Sequence, residues 1–196
     1  MSSLVRPALT LLWFFTLALG LVYPAAVTAM AQLLFPVQAN GSLIRLEGQT
    51  VGSALIGQGF SDPGRFWGRP SATSPFPYNA AASAGSNLGP SNRVLLDSAR
   101  ARVAALRAAD PGNPLPVPVD LATASGSGLD PHISPAAALY QVGRVARARG
   151  LPEPVMRRLV AEHIETGPPG FLGEPRVNVL RLNLAVERAS RGEGQY

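Results

Sequence analysis

Residues 8–35 read ALTLLWFFTLALGLVYPAAVTAMAQLLF, and this apolar segment determines how the rest of the chain is arranged. It lies within thirty-eight uncharged residues, 7–44, that separate Arg6 from Arg45. A helix of about 20 apolar residues crosses a bilayer core about 30 Å thick, so the segment is long enough to span a membrane. The sequence therefore predicts a transmembrane helix over residues 8–35.

The charges that flank this segment predict its orientation. Arg6 and the α-amino group precede it, whereas the first ionisable residues after it, Arg45 and Glu47, cancel each other. Because positive flanking charge favours the cytoplasmic side, residues 1–7 are predicted to be cytoplasmic. Residues 36–196 are then predicted to form one extracytoplasmic, periplasmic domain.

A cleaved signal peptide is the alternative interpretation of the same segment. Residues 29–31 form an A-x-A cleavage site, and residues 9–22 have the composition of a signal-peptide apolar region. Two features favour retention of the helix. The apolar run continues past the site through residues 33–35, and it exceeds the roughly 7–15 residues typical of a signal peptide.

The composition excludes several kinds of chemistry. There is no cysteine, so neither a disulfide framework nor a cysteine-based metal site is available. All seventeen basic residues are arginine, which removes the P-loop lysine, Schiff-base lysines and lysine general bases. The net charge of +5 is dispersed without interleaved aromatic residues, so nucleic acid is not expected as a partner. Membrane lipid or an acidic partner surface fits this charge better.

The pattern of residues predicts an α+β domain with a small sheet and about three to four helices. Residues 41–59 resemble a hairpin, and residues 60–90 resemble a loop. Residues 117–123 are predicted to be a buried strand, whereas residues 177–186 fit either a strand or a helix. Four aromatic side chains are predicted to anchor the long loop to the core: Phe66, Trp67, Phe76 and Tyr78.

Capping signals predict three helices. The first begins after Ser91 and ends at Asp110. The second is capped by Ser134 and stops at Gly150, and the third starts near Pro152. The second helix is predicted to turn Leu139, Val142 and Ala146 inward. Its outward stripe is predicted to be Gln141, Arg144 and Arg147. With Arg157 and Arg158 of the next helix, this basic surface is either solvated or docked on an acidic partner surface or lipid headgroups.

The candidate catalytic and metal-binding residues are few. His163 falls on an apolar helix face, where a hydrogen-bonded core histidine is expected, and His132 has no third metal ligand at a suitable spacing. Ser125 lacks the flanking glycines of a nucleophile elbow. Three aspartates lie beside turn signals and are predicted to be solvated or to act as caps: Asp62, Asp120 and Asp130.

Several blocks of the chain are similar to one known family. They are GSALIGQ (52–58), GRPSAT (68–73), PYN (77–79), SAGSNLGPSN (83–92), the run 119–149 with TASGSGLD (123–130), and FLGEPRVNV (171–179). Together they resemble the C subunit of the bacterial Kdp potassium-transporting P-type ATPase. The resemblance covers nearly the whole chain, with departures at Ala84 and at residues 166–169.

This resemblance implies a retained transmembrane helix in the cell inner membrane and a periplasmic domain. It implies three protein partners: a channel-like potassium-binding subunit, an ATP-hydrolysing subunit and a small single-helix subunit. The C subunit would not hydrolyse ATP and would not itself carry potassium. It would act as a catalytic chaperone that raises the ATP affinity of the hydrolysing subunit, or stabilise assembly at the outer mouth of the potassium-binding subunit.

One site residue follows from the same resemblance. Gln58 matches a glutamine that is proposed to contact the nucleotide ATP in this family, whereas a turn residue at a strand end is the structural alternative. Two other functions remain open from the residues themselves. They are a free-standing membrane-anchored periplasmic enzyme that uses Asp130 and His132, and a tethered ligand-binding module.

Overall fold

A computed structural model describes residues 2–167 and 173–192 of the chain. It divides into two compact units, residues 1–51 and residues 52–196. The predicted block at residues 171–179 and the connection at residues 166–169 lie partly outside the described residues. The two units differ in where their apolar side chains lie. The long helix of the first unit leaves them exposed, whereas the second unit has a buried core.

The first unit is dominated by a long apolar helix. It consists of α1 (Ser2–Leu17), a π-helical turn (Ala18–Val22) and α2 (Tyr23–Leu34), and the short α3 (Pro36–Ala39) follows it. The stretch Leu4–Leu34 has a mean hydropathy of 1.8 and buries none of its side chains within the protein. By length and composition this helix could cross a membrane, in agreement with the predicted segment.

The π-helical turn lies where a proline interrupts the apolar helix. The backbone N–H of Tyr23 donates to the carbonyl oxygen of Ala18, five residues back. Pro24 has no N–H, and its ring crowds the carbonyl of the residue four positions earlier, Gly20. A wider turn relieves that crowding, so the helix continues through Pro24.

A β-hairpin follows, as predicted. Its strands are β1 (Leu43–Leu46) and β2 (Gln49–Ser53), which pair in a two-stranded sheet. Both turn residues, Glu47 and Gly48, have positive φ angles of 50° and 80°, the conformation that two-residue hairpin turns require.

The second unit contains a three-stranded antiparallel sheet in the order β3–β5–β4. The strands are β3 (His132–Ile133), β4 (Ile164–Glu165) and β5 (Arg176–Asn178). His132 is opposite Asn178, and Ile164 is opposite Val177. This register places the side chains of three distant segments at one small sheet.

The described residues of the second unit form five α-helices. They are α4 (Arg93–Ala109), α5 (Val119–Ala122), α6 (Pro135–Arg149), α7 (Glu153–Glu162) and α8 (Val179–Ser190). α6 and α8 contact β5, α6 packs against α7, and α7 packs against α8. The predicted start and stop of α6 are confirmed: the Ser134 hydroxyl oxygen accepts from the Ala137 N–H at 3.0 Å, and Gly150 ends the helix with φ of 65°.

The structure corrects two local predictions and decides a third that fitted two elements. Within residues 117–123 the chain forms the single turn α5 instead of a strand, and Thr123 closes this turn by donating its backbone N–H and its hydroxyl to the Val119 carbonyl. The cap of α4 is Asn92 and not Ser91. Residues 177–186 are a strand end followed by a helix, because the side chain of Asn178 accepts from the Arg181 N–H and starts α8.

The predicted faces of α6 are partly wrong. Gln141 and Arg144 are only 1% and 5% exposed, whereas Leu139, predicted to face inward, is 38% exposed. Val142 and Ala146 are buried as predicted. The polar stripe is buried because the loop before α4 packs over it, and the carbonyl groups of that loop require hydrogen-bond donors.

The long loop is attached to the core at two of its four aromatic residues. Phe66 and Trp67 are buried, and Tyr78 is half-buried. Phe76 is 57% exposed, so the prediction that it anchors the loop is wrong. Phe76 lies on a turn whose polar groups are bonded to one another, so the fixed turn holds the ring outward.

Candidate functional site

Two buried side-chain amides bind the backbone of the long loop. Asn183 of α8 accepts from the Phe66 N–H at 2.7 Å and donates to the Phe66 carbonyl at 3.0 Å. Gln141 of α6 does the same for Trp67, accepting at 2.8 Å and donating at 3.1 Å. Each amide therefore satisfies both polar groups of one loop residue, as a neighbouring strand would.

Arg144 completes this attachment. Its guanidinium donates to the carbonyl oxygens of Pro63 at 2.5 Å and Arg65 at 3.1 Å, and to Gln141 Oε1 at 2.6 Å. It also lies 4.2 Å from the centroid of the Trp67 ring. Burial lowers the pKa of Arg144 to about 10, so the side chain stays charged at neutral pH. The accepting oxygens and the ring together replace the water that the charge loses.

Two further arginines extend the set of donors. Arg102 of α4 donates to the Leu121 carbonyl at 3.1 Å and to the Gly68 carbonyl at 3.2 Å. Arg149 at the end of α6 donates to the Gly64 carbonyl at 2.6 Å. We call residues 62–69 the clamped loop, since side chains from three helices bond its backbone.

A second polar network fixes the turn that follows the clamped loop. The Ser71 hydroxyl donates to the Gly128 carbonyl at 2.7 Å and accepts from the Tyr78 N–H at 2.9 Å. The Thr73 hydroxyl donates to the Phe76 carbonyl at 2.8 Å. The Tyr78 hydroxyl donates to a backbone carbonyl at 2.5 Å, and burial raises its pKa. The sequence blocks 68–73, 77–79 and 123–130 thus meet in space.

Gln58, the predicted nucleotide contact, lies beside this network. A Cβ added to Gly52 would fall 2.1 Å from Gln58 Nε2, so the side chain packs closely on the backbone of β2. The cavity that Gln58 lines with Tyr78 and Leu180 has a volume of about 10 Å³. Such a volume holds at most one water molecule. The nucleotide contact therefore stays a prediction.

Asp130 and His132, the predicted catalytic pair, are brought together by β3. Asp130 Oδ1 accepts from the His132 backbone N–H at 2.9 Å and lies 3.5 Å from His132 Nδ1. Asp130 Oδ2 accepts from Arg69 Nη1 at 3.2 Å. On the other side, His132 Nε2 lies 3.9 Å from Glu165 Oε2. The pair is thus part of a mixed-charge cluster at the sheet edge.

This cluster includes charges that the sequence did not single out. Glu165 forms ion pairs with Arg181 at 3.0 Å and with Arg176 at 4.0 Å. The sequence gives little indication of these ion pairs, because the partners come from strands and a helix that are distant in sequence. Burial raises the pKa of Asp130, but the hydrogen bonds from His132 and the charge of Arg69 outweigh it. The pKa of Asp130 therefore lies below its ordinary value of 3.8.

The other predicted candidates have structural roles. Asp62 Oδ1 accepts from the Gly64 N–H at 2.6 Å, and Asp120 accepts from the backbone and hydroxyl of Ser134 at 2.7 and 3.2 Å. The ring Nδ1 of His163 lies 2.8 Å from the Leu159 carbonyl oxygen at the end of α7. Ser125 bonds within its own turn, to the Gly128 N–H. These contacts confirm the expected capping roles of Asp62 and Asp120.

The described residues offer no ready metal site. Across residues 2–167 and 173–192, no three His, Asp or Glu side chains are grouped to hold a metal ion. A cleft of about 400 Å³ opens beside the charge cluster, lined by Asp120, Asp130, His132, Glu174 and Arg176, among others. Asp130 already pairs with Arg69 and Asp120 already bonds Ser134, so these two carboxylates are engaged in structural contacts.

Known proteins match this chain over almost its full length. Residues 5–188 match the family described as K+-transporting ATPase, c chain. A "Potassium-transporting ATPase KdpC subunit" of Polaromonas naphthalenivorans is 65% identical over 187 residues, covering 95% of each chain. Proteins of the same name from Methylococcus capsulatus and Sorangium cellulosum are 63% and 62% identical, covering 93% and 96% of this chain and 96% and 100% of their own. The chain therefore belongs to the KdpC family of potassium-transporting ATPase subunits.

Proposed function

We propose that the chain is the accessory, non-hydrolysing subunit of an ATP-driven, high-affinity potassium uptake complex. The observation that carries this proposal is its membership in the KdpC family over residues 5–188. The polar side chains that bond the backbone of the domain also support the proposal. Asp62, Asp120 and Gln141 each bond the backbone of the domain itself, which leaves them engaged in structure.

The proposed location is the cell inner membrane. The helix Leu4–Leu34 would remain attached and cross the bilayer once, with residues 1–7 in the cytoplasm and the domain in the periplasm. The apolar run beyond residue 31 supports retention over cleavage. Intact-mass measurement of the membrane-extracted protein tests this placement, and a mature chain that begins at Gln32 would contradict it.

The proposed partners are the other subunits of the pump. They are a potassium-binding subunit, an ATP-hydrolysing subunit and a small single-helix subunit, with lipid around the exposed helix. Potassium would be carried by the potassium-binding subunit. ATP would be hydrolysed elsewhere, since this chain has no lysine for the Asp-Lys-Thr-Gly motif of P-type pumps.

Two modes of action are compatible with this role. The domain would stabilise assembly at the outer mouth of the potassium-binding subunit, or act as a catalytic chaperone that raises the ATP affinity of the hydrolysing subunit. The geometry favours the first mode, because the Gln58 cavity of about 10 Å³ would have to open before a nucleotide could enter. A rigid domain with a clamped loop is suited to docking without rearrangement.

The experiment compares the purified pump with and without this chain. The assembly mode predicts that its omission lowers the yield of intact complex, whereas the chaperone mode predicts an intact complex with a higher KM for ATP. Gln58→Ala tests the nucleotide contact, and Gln49→Ala on the exposed part of β2 is its control. A KM for ATP raised by Gln58→Ala alone, in a folded complex, would support direct contact.

A free-standing enzyme is the second candidate, and the proximity of Asp130 to His132 is the observation in its favour. The hydroxyl nearest in sequence, that of Ser134, is engaged by Asp120 and by the start of α6. The purified chain alone is expected to hydrolyse neither ATP nor simple esters. Turnover by the chain that is abolished by His132→Ala would support the enzyme instead.

A further inference from the structure

The helix α4 is unusually exposed for its length. Of its seventeen residues only Leu106, in its last turn, is buried. Its principal helical neighbour is α5, which has four residues. Arg102 is the main polar tether of α4, through the Leu121 and Gly68 carbonyls. The first half of α4 therefore extends from the domain with almost no tertiary support.

Such an extension is marginal by itself. An isolated helix of this length is poorly stable in water, and most helical stability in proteins comes from packing of an apolar face. Yet α4 leaves Val94 60% exposed and Leu96 44% exposed, and Val119 on the neighbouring α5 is 73% exposed. The segment 83–92 before α4 is also largely exposed. These apolar groups would gain stability from a covering partner.

The charges on α4 indicate the chemistry of that partner. Arg93, Arg100 and Arg107 are spaced by seven residues, which places them on one face of the helix at intervals of about 10 Å. We call this face, with Leu96, the α4 stripe. Arg100 has an exposed ion pair with Asp97, 3.3 Å away, so the stripe keeps a net positive charge.

We propose that the α4 stripe is a docking surface for an acidic protein surface on another subunit of the membrane complex. This inference rests on the proposed function, because it requires that the chain assembles with partners. Protein is favoured over anionic lipid because a carboxylate, Asp97, and the polar Ser98 lie exposed among the arginines of α4. A carboxylate beside the arginines disfavours anionic headgroups, and α4 has none of the Trp or Phe side chains that anchor amphipathic helices among headgroups.

The first test reverses the charge of the stripe in the full-length chain. The variant carries Arg93→Glu, Arg100→Glu and Arg107→Glu, and it is co-expressed with the remaining pump subunits. A matched control carries Arg157→Glu, Arg158→Glu and Arg188→Glu, three exposed arginines on α7 and α8. Retention of each chain in the detergent-purified complex is measured, together with its thermal unfolding.

The stripe variant is expected to bind its complex about tenfold more weakly or worse, from the loss of three charge pairs. The control is expected to stay within about twofold. Equal retention of both variants would overturn the inference. A wild-type chain that fails to co-purify with any pump subunit would instead contradict the proposed function.

Lipid as the occupant is tested in the same series. Retention is compared in detergent and in nanodiscs that contain either phosphatidylcholine alone or added phosphatidylglycerol. The inference predicts a loss in detergent that persists in both nanodiscs. A loss confined to nanodiscs with phosphatidylglycerol would overturn it in favour of anionic headgroups.

A milder variant keeps the inference testable if the charge-reversed chain does not fold. Because the chain has no cysteine, Ala104→Cys on α4 can carry a single benzophenone label, with Ala161→Cys on α7 as control. Irradiation of the purified complex is expected to cross-link the α4 label, and not the α7 label, to another subunit. Cross-linking from α7 alone would overturn the inference.

Discussion

The helices α4 and α6 both carry regularly spaced arginines, yet they use them in opposite ways. On α6, Arg144 is 5% exposed and bonds the backbone of the clamped loop. On α4, Arg100 has a side chain that is 77% exposed and bonds only a neighbour on the same helix. The difference shows that a polar stripe stays exposed only where no backbone acceptor of the fold is placed to bond its donors.

The clamped loop is what distinguishes the two helices. It crosses α6 without forming a strand or helix, so its peptide groups have no regular partners. Buried peptide groups must be bonded, and Gln141, Arg144 and Asn183 supply those bonds. α4 bonds the clamped loop through one side chain, Arg102, which donates to the Gly68 carbonyl.

The largest expected effect is that of Arg144→Ala. The change leaves the carbonyls of Pro63 and Arg65 without their donor and removes the cation from Trp67. We expect a loss of about 3–5 kcal/mol in unfolding free energy, measured by chemical denaturation of the full chain in detergent. Arg107→Ala is the control. Similar losses for both variants would mean that the contrast between α4 and α6 is wrong.

Asn183→Ala should have the next largest effect. It leaves the N–H and carbonyl of Phe66 unbonded in the core, although it removes no charge. The expected loss is about 2–4 kcal/mol in the same denaturation assay. Gln49→Ala on exposed β2 should be close to neutral. A value near zero for Asn183→Ala would show that the loop rearranges or admits water.

Acid should weaken the half-buried charge cluster around Asp130 but not the α4 stripe. The pKa of Asp130 is lower in the folded chain than its ordinary value of 3.8, so its stabilisation is present at neutral pH. That stabilisation is lost as pH falls through the folded pKa. Asp130→Asn should therefore flatten the decline in stability below about pH 4. Parallel pH profiles for wild type and variant would refute this assignment.

The smallest effect is expected for Arg100→Ala. The ion pair with Asp97 is exposed on both sides, so its loss should change the unfolding free energy by about 0.5 kcal/mol or less. Added salt should not alter this difference measurably. A loss above about 1 kcal/mol would show that α4 contributes to the core like α6.

Local signals in the sequence predicted local structure well. Ser134 with the following proline predicted the start of α6, and Gly150 predicted its end, because capping depends on adjacent residues. The apolar helix and the turn of the hairpin were also predictable, because each depends on residues that are adjacent in sequence. The Asn178 cap of α8 is also a local signal, and it would have separated the strand end from the helix.

Non-local partners explain what the sequence could not predict. Gln141 bonds Trp67, which is 74 residues away, and Asn183 bonds Phe66, which is 117 residues away. Helical periodicity contains no information about such pairs. The short α5 was mistaken for a strand because an apolar run of that length fits both. For Gln58, the sequence offered only the resemblance to a family glutamine. The structure adds that its side chain packs against Gly52.

The π-helical turn at Ala18–Val22 has a consequence for which side chains the long apolar helix presents in one direction. A π turn inserts one extra residue, which shifts the angular phase of all later side chains by about 100°. Side chains of α1 and α2 seven residues apart across this turn therefore point in different directions. Deleting Gly20 would bring the two halves into one phase, so a neighbour that packs along both α1 and α2 would lose its fit to one of them.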